Sequence, residues 1–361
     1  MQSSFERITD LNNNLESEEF REIGRLNEKS FTRDRKLTFT DVNWIILNKK
    51  GVSTAMELYN YFKIKKADSA SVQAFSKARM NLDPEIFTEL NKRYLTEVYT
   101  NTPIKSFKGH VMLAVDGMVA DLWNEKGIKE IFGGTKNSDG EINLAKAQTC
   151  GIYDCLNKMV VDFQLAPYNT SEIELSKKNI ENARKFFENQ KLCILFDRLF
   201  PSIELFHNLN QKGIKFICRL KKTSYQEEIE QMKSDDGCID IKITPQRMQH
   251  IKDEKTKKTL LELGEMRLRV SKIELENDEK EYLISNFYFD EVNYGEMKDL
   301  YAQRWEIEKC FNVLKNKLEI ENISGESKIA IEQDFNAQIL VHNIIQDVKN
   351  EAEKSKVFKK N

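Results

Sequence analysis

Three acids far apart in the chain stand where an ionised side chain is costly. Asp116 ends the apolar run of "HVMLAVDG", Asp197 ends that of "KLCILFD", and Glu308 lies in "DLYAQRWEIEKCFNVLKNKLEIENISG", residues 299–325. A carboxylate at the end of a buried strand needs compensation, and a divalent cation supplies it. Carboxylate oxygens suit Mg²⁺ or Mn²⁺, which keep waters that a phosphate can displace. Two such ions about 4 Å apart activate an attacking oxygen and stabilise a leaving one, so this layout invites phosphoryl transfer. Each acid also has an ordinary reading: Asp116-Gly117 as a turn, Asp197 as the cap of the helix after it, Glu308 as the partner of Arg304 or Lys315. Asp121, Asp154 and Asp162 compete in the same region. Asp121 faces the opposite side of a continued strand from Asp116, and Asp154 sits beside a turn.

The stretch 299–325 carries more than one acid. Tyr301, Arg304, Glu308 and Lys315 fall within roughly a 60° stripe if one helix spans them. Ile307, Cys310, Phe311, Leu314 and Leu318 take the neighbouring arc, while Glu306, Lys309 and Lys317 point away from it. The polar row therefore borders the buried face of an amphipathic helix.

Elements must bring these groups together. The chain of 361 residues has room for a large core with appendages. Hydrophobic residues make up 40% and charged residues 32%, with no apolar run of membrane-spanning length and no signal-peptide pattern, which predicts a cytoplasmic protein. The net charge of −2 carries no global signature of nucleic-acid binding, so any such role rests on local patches. The six cysteines form no CxxC pair and read as reduced core thiols. His342, on the apolar side of the last helix, reads as a core histidine.

Residues 1–105 read as a helical region, with apolar spacings of three and four in four segments. Its basic clusters, Arg33, Arg35 and Lys36, then Lys63, Lys65 and Lys66, then Lys77 and Arg79, suit either a solvated surface or DNA phosphates. From residue 106 to 221 the order strand, hairpin about Asn157, helix, strand, helix, strand predicts an α/β layer with a mixed central sheet. The helix after the hairpin opens with a Ser-x-x-Glu start. Residues 222–290 alternate and are polar, predicting a β-rich insertion, and 291–361 return to helices that include Glu308 and a long closing helix.

The ordered set resembles a known family, the DDE transposases of bacterial insertion sequences marked by a Tyr-x2-Arg-x3-Glu-x6-Lys signature. Here the signature reads Tyr301, Arg304, Glu308 and Lys315 without a gap. "LAVDG" is similar to the family's first acidic motif and "ILFDR" with "PSIELF" to the second. "YDCLNKMVVD" and "SEIELS" resemble the segments between, and "SFTRDRKLTF" with "QAFSKAR" the N-terminal region. Met118 after the first Asp-Gly, and Leu199-Phe200 after the second Asp-Arg, depart from the usual Ser and Gly-Tyr.

The resemblance implies an RNase H-like core with Asp116 on the first strand, Asp197 after the fourth and Glu308 on a late helix. It implies that these acids bind two Mg²⁺ (or Mn²⁺) ions, that water cleaves at the transposon end, and that the freed 3′-hydroxyl attacks target DNA. Tyr301, Arg304 and Lys315, with Arg198, would hold DNA near the cut, and Lys63, Lys65, Lys66, Lys77 and Arg79 would contact it from the N-terminal helices. The implied partners are double-stranded DNA, as transposon ends and target, and a second copy of the chain on that DNA. A catalytically inactive or truncated DNA-binding derivative, and a nuclease that cuts without joining, are the alternatives.

Overall fold

The computed structural model describes residues 2–33, 36–274 and 279–358; Arg35 lies outside them. The N-terminal region holds α1 (Ser4–Glu16), α2 (Glu18–Gly24), α3 (Phe39–Leu47), α4 (Thr54–Lys65), α5 (Val72–Arg79) and α6 (Glu85–Asn101). Ser3, Ser17, Thr38, Ser53 and Ser71 each accept a backbone N–H at the start of the first five, so local capping sets where each begins. Periodicity predicted four helices here. α1 and α5 escaped: α5 is only eight residues long, and α1 has an Asn-rich stretch that is a weak helix former, its place secured instead by burial of Leu11 and Leu15.

The sheet follows. Its elements are β1 (His110–Asp121), α7 (Lys126–Phe132), β2 (Gly134–Lys136), β3 (Ile142–Asp154), β4 (Met159–Pro167), α8 (Glu172–Phe186), β5 (Lys191–Phe196), α9 (Ile203–Gln211) and β6 (Lys215–Arg219). Strands β4, β3, β1, β5 and β6 lie side by side in that order. The first three are antiparallel, and β5 and β6 run parallel to β1. That is the order and direction of an RNase H-like core. Next come α10 (Gln226–Glu230), β7 (Asp236–Lys242), a 3₁₀ turn at Gln246–Met248, α11 (Glu254–Leu263), β8 (Glu265–Glu274) and β9 (Lys280–Ser285). β9 pairs antiparallel with β6, so these strands extend the same sheet, which has nine strands among the described residues. The chain ends with α12 (Tyr294–Ala302), α13 (Trp305–Asn316) and α14 (Lys328–Phe358). No helix of the described residues is long and apolar enough to cross a membrane.

The sheet is covered on both faces. Val111, Leu113 and Val115 of β1 pack with residues of α8 and α9, while Met112 and Ala114 pack with α12, α13 and α14. β1 and β5 are thus apolar on both sides, as parallel pairs covered by helices are. All six cysteines are free, five of them buried, and His342 is a core side chain 3.5 Å from the Cys310 sulfur.

α14 joins the N-terminal helices to the sheet through buried polar groups. Asn343 both accepts from and donates to the backbone of Val160, at 2.8 Å each, satisfying β4. Asp347 holds Arg7 in a paired contact at 2.8 Å and accepts from the Tyr94 hydroxyl. Asp334 takes Arg79 at 2.8 Å and Lys49 at 3.1 Å. Burial works against the charge on Asp334, but Arg79 and Lys49 outweigh it and hold the carboxyl below its ordinary value.

This corrects the expectation that Arg79 contacts DNA. Arg79 is 3% exposed and also donates to Gln333, Ser324 and the Ala330 carbonyl, so its donors are spent inside the protein. Lys65 is paired with Asp41, its side chain about half exposed. Lys63, Lys66 and Lys77 are exposed.

Arg79→Ala strips the main counter-charge from a buried Asp334 and should cost ~3–5 kcal/mol. Lys77→Ala on the same helix should stay within ~0.5 kcal/mol of wild type. Urea midpoints of the two variants test this, and equal midpoints would refute the assignment.

Candidate active site

The register of β1 with β5 builds the centre of the site. His110 faces Lys191 and each pair through Ala114 and Leu195 keeps the same offset of 81 residues, which also separates Asp116 from Asp197. Continued two positions, that register sets the two aspartates opposite each other, with neighbouring strands about 4.8 Å apart. By strand alternation Asp116 lies on the Met112 and Ala114 side, toward α13. β5 stops at Phe196, and Asp197 opens the turn beyond it by accepting the Leu199 N–H at 2.7 Å. Leu199 keeps a φ outside the left-handed region, so leucine is unstrained at the position where the resembled motif has glycine. Phe200 is buried against Phe196. Ser202, not Asp197, caps α9.

The predicted single helix over the signature is two. α12 ends at Ala302 and α13 begins at Trp305. Between them Gln303, Arg304, Glu306 and Ile307 bond three residues back rather than four, a tightened turn that redirects the chain. The stripe is therefore not straight. Tyr301 and Arg304 turn inward, 5% and 6% exposed, whereas Glu308 and Lys315 remain on the border. Ile307, Cys310, Phe311 and Leu314 are buried as their spacing predicts.

Arg304 stands between acids. Its Nη2 donates to Glu308 Oε1 at 2.5 Å and its Nη1 lies 3.6 Å from Asp116 Oδ2. Its Nε and the Tyr301 hydroxyl are buried without a hydrogen-bond partner among the described residues. Lys315 donates to the Val119 carbonyl at 2.9 Å and pairs with Glu321 at 3.0 Å, which fixes it beside the far end of β1. Arg198 is exposed next to Asp197.

Sequence reasoning missed one acid. The Ser-x-x-Glu start drew attention to Ser171 and Glu174, yet the Ser171 side chain makes no cap bond. Glu172, the first residue of α8, is the group that reaches the site, half-buried over Gly117. No spacing rule connects a helix start to a strand 55 residues earlier. The remaining acids have other work. Asp121 pairs with Lys146, Asp162 accepts from Gln164, and buried Asp154 binds Tyr99 and the Asn157 turn.

The acids raise one another. Burial pushes the Asp116 carboxyl up to about 6 against the pull of Arg304, and the charges of Asp197 and Glu308 add to the rise. Burial likewise pushes Glu172 up to about 7, with Asp116 and Asp197 contributing. Among the described residues no three His, Cys, Asp or Glu side chains are already gathered to hold an ion, since Arg304 stands between Asp116 and Glu308. The donor set nonetheless fits a hard divalent cation. It offers only oxygen, it is partly desolvated, and its charge exceeds what one guanidinium offsets.

Residues 126–344 match the family model described as "Transposase DDE domain". The match spans more than half of the chain, and the chain belongs to that family. The matched part contains Asp197, Tyr301, Arg304, Glu308 and Lys315 and begins beyond Asp116. No curated protein matches the chain. Among solved structures, the piggyBac transposase synaptic complex with hairpin DNA is similar, at 12% identity and a TM-score of 0.48, over 99% of this chain and 77% of that one.

A carboxyl whose pKa rises on folding holds its proton more tightly in the native state. Its stabilising contribution is complete below 3.8 and lost as pH climbs through about 6. Without metal, Asp116→Asn should therefore gain about 2 kcal/mol on wild type between pH 4 and pH 8. Urea melts in chelator at both pH values test this. A variant that gains nothing across that window would sink the account.

Proposed function

We propose that the protein is a DNA transposase that cleaves transposon ends and joins the freed 3′-hydroxyl to target DNA. The observation that carries the reading is the convergence of three acids, since the paired β1 and β5 run toward Asp116 and Asp197, whose charges act on each other, and Arg304 joins Glu308 to Asp116, in a chain of the transposase DDE family. Asp116, Asp197 and Glu308 would hold two Mg²⁺ or Mn²⁺ ions. Bound there, such ions polarise a phosphate and lower the pKa of water or a hydroxyl.

The chain's own residues do the rest. Arg304 balances Glu308 and Asp116 in the free protein and has the fork geometry to receive a phosphate, with its unused Nε and the Tyr301 hydroxyl as further donors. Lys315, anchored on Val119, and exposed Arg198 would meet the DNA backbone on either side. The helical region 1–105 would bind DNA through Lys63, Lys66 and Lys77, with Lys65 available once Asp41 is screened. Residues 106–221 and 291–361 would form the catalytic core and 222–290 an insertion at its sheet edge. Joining two ends calls for two active sites, hence a homodimer on DNA.

Asp197→Ala and Glu308→Ala should each lower metal-dependent 3′-end release and joining of a labelled end duplex by on the order of 10³-fold, the effect of several kcal/mol of lost charge stabilisation. Both should still shift the duplex. Wild-type protein that shifts the duplex without cutting it would identify an inactive DNA-binding derivative. Cutting without joining would identify a nuclease.

The lysines have a separate signature. Lys63→Ala, Lys66→Ala and Lys77→Ala should each flatten the dependence of log affinity on log salt by about 0.9 if it neutralises one phosphate. Unchanged slopes would remove α4 and α5 from the DNA interface.

A further inference from the structure

We propose that Glu172 is a fourth carboxylate of the cation site, ligating an ion beside Asp116 from the α8 side of the sheet. The inference rests on reading Asp116 and Asp197 as cation ligands and adds a residue to them.

The helix face places Glu172 there. Leu175, Ser176, Asn179, Ile180 and Ala183 form the buried stripe of α8, and Glu172 stands three and four residues before its first members. It thus takes the position where the stripe would continue inward. An acid there is costly unless something compensates it.

The strand beneath makes room for it. A Cβ added to Gly117 would lie 2.5 Å from the Glu172 carboxyl carbon and 2.7 Å from its Oε1. Glu172 therefore occupies the volume that any other residue after Asp116 would fill, and its carboxyl is packed against the backbone of a proposed ligand. Gly117 itself lies outside the left-handed region, so close approach is what glycine supplies at this position.

No protein cation pairs with Glu172 among the described residues. Lys177 of the same helix pairs with Glu204, and Lys212 and Arg184 pair with Glu181. Arg304 is committed to Glu308 and Asp116. The partial positive charge of a helix start offsets only part of a full negative one. An independent feature points to a ligand on the α13 side of Asp116: Arg304, whose Nη1 lies 3.6 Å from the Asp116 carboxylate, keeps a buried Nε, and Tyr301 beside it a buried hydroxyl, without a hydrogen-bond partner among the described residues. Carboxylates on one side and unused donors on the other suit a cation bound together with a phosphate.

The test is Mn²⁺ binding to the full chain without DNA, followed by calorimetry and by the electron spin resonance signal of free Mn²⁺. Wild type is compared with Glu172→Gln, Glu172→Asp, Gly117→Ala, Asp116→Asn and Asp197→Asn, each checked for native circular dichroism. Glu172→Gln should weaken Mn²⁺ binding roughly 10- to 100-fold, with partial recovery in Glu172→Asp. Gly117→Ala, which leaves every acid in place but displaces the Glu172 carboxyl, should weaken it in the same direction and guards against a Glu172 variant that fails to fold. If Glu172→Gln and Gly117→Ala bind Mn²⁺ as wild type does while Asp116→Asn and Asp197→Asn lose it, Glu172 is not a ligand and the cation site stands. If the two aspartate variants also bind normally, the reading of the site fails and this inference fails with it.

Discussion

The parallel pairing of β1 with β5 is the constraint on which the site depends. Val111 to Val115 and Leu192 to Phe196 are apolar and buried, so hydrophobic alternation, which usually fixes register, is silent along both strands. The aspartates that end the runs break that degeneracy. Slipping either strand by one residue would turn Asp116 or Asp197 toward the interior packed by α8 and α9, an uncompensated charge in an apolar layer. The carboxylates thus have a structural role in selecting the register that carries both strands to the same end of the sheet.

A second constraint holds the late helices over that pair. α14 carries two buried aspartates, Asp334 and Asp347, whose partners Arg79, Lys49 and Arg7 come from the N-terminal helices. Such pairs add little net stability, but each lone partner would be expensive, so they enforce one docking arrangement. α13 packs between α14 and β1, and the tightened turn before it directs Arg304 inward. The basic clusters of the N-terminal region divide accordingly: Lys63, Lys66 and Lys77 are solvated, while Arg79 is a structural cation.

Around Asp116 the charges are deliberately unequal. Glu308, Asp197 and Glu172 approach it from three different elements, and Arg304 lies between Asp116 and Glu308 to offset part of their charge. Burial, and after it mutual repulsion, raises Asp116 and Glu172 toward neutrality, which makes their affinity for any cation dependent on pH. A site poised in this way is stabilised by what binds to it rather than by its own contacts.

Much of this was legible in the residues. Apolar runs closed by aspartates, the hairpin about Asn157 and the amphipathic face of Ile307, Cys310, Phe311 and Leu314 are local patterns, and local patterns survive without knowledge of partners. They determined the core strands, the late helix and three acids with their signature row. Other features depended on residues hundreds of positions apart or on opposite faces of the sheet. That Arg79 answers Asp334, that the helix breaks at Arg304, that Leu199 needs no glycine backbone and that Glu172 fills the space over Gly117 were decided only when the chain packed. Burial and charge compensation are properties of a side chain's surroundings in three dimensions, whereas periodicity and capping belong to the chain itself.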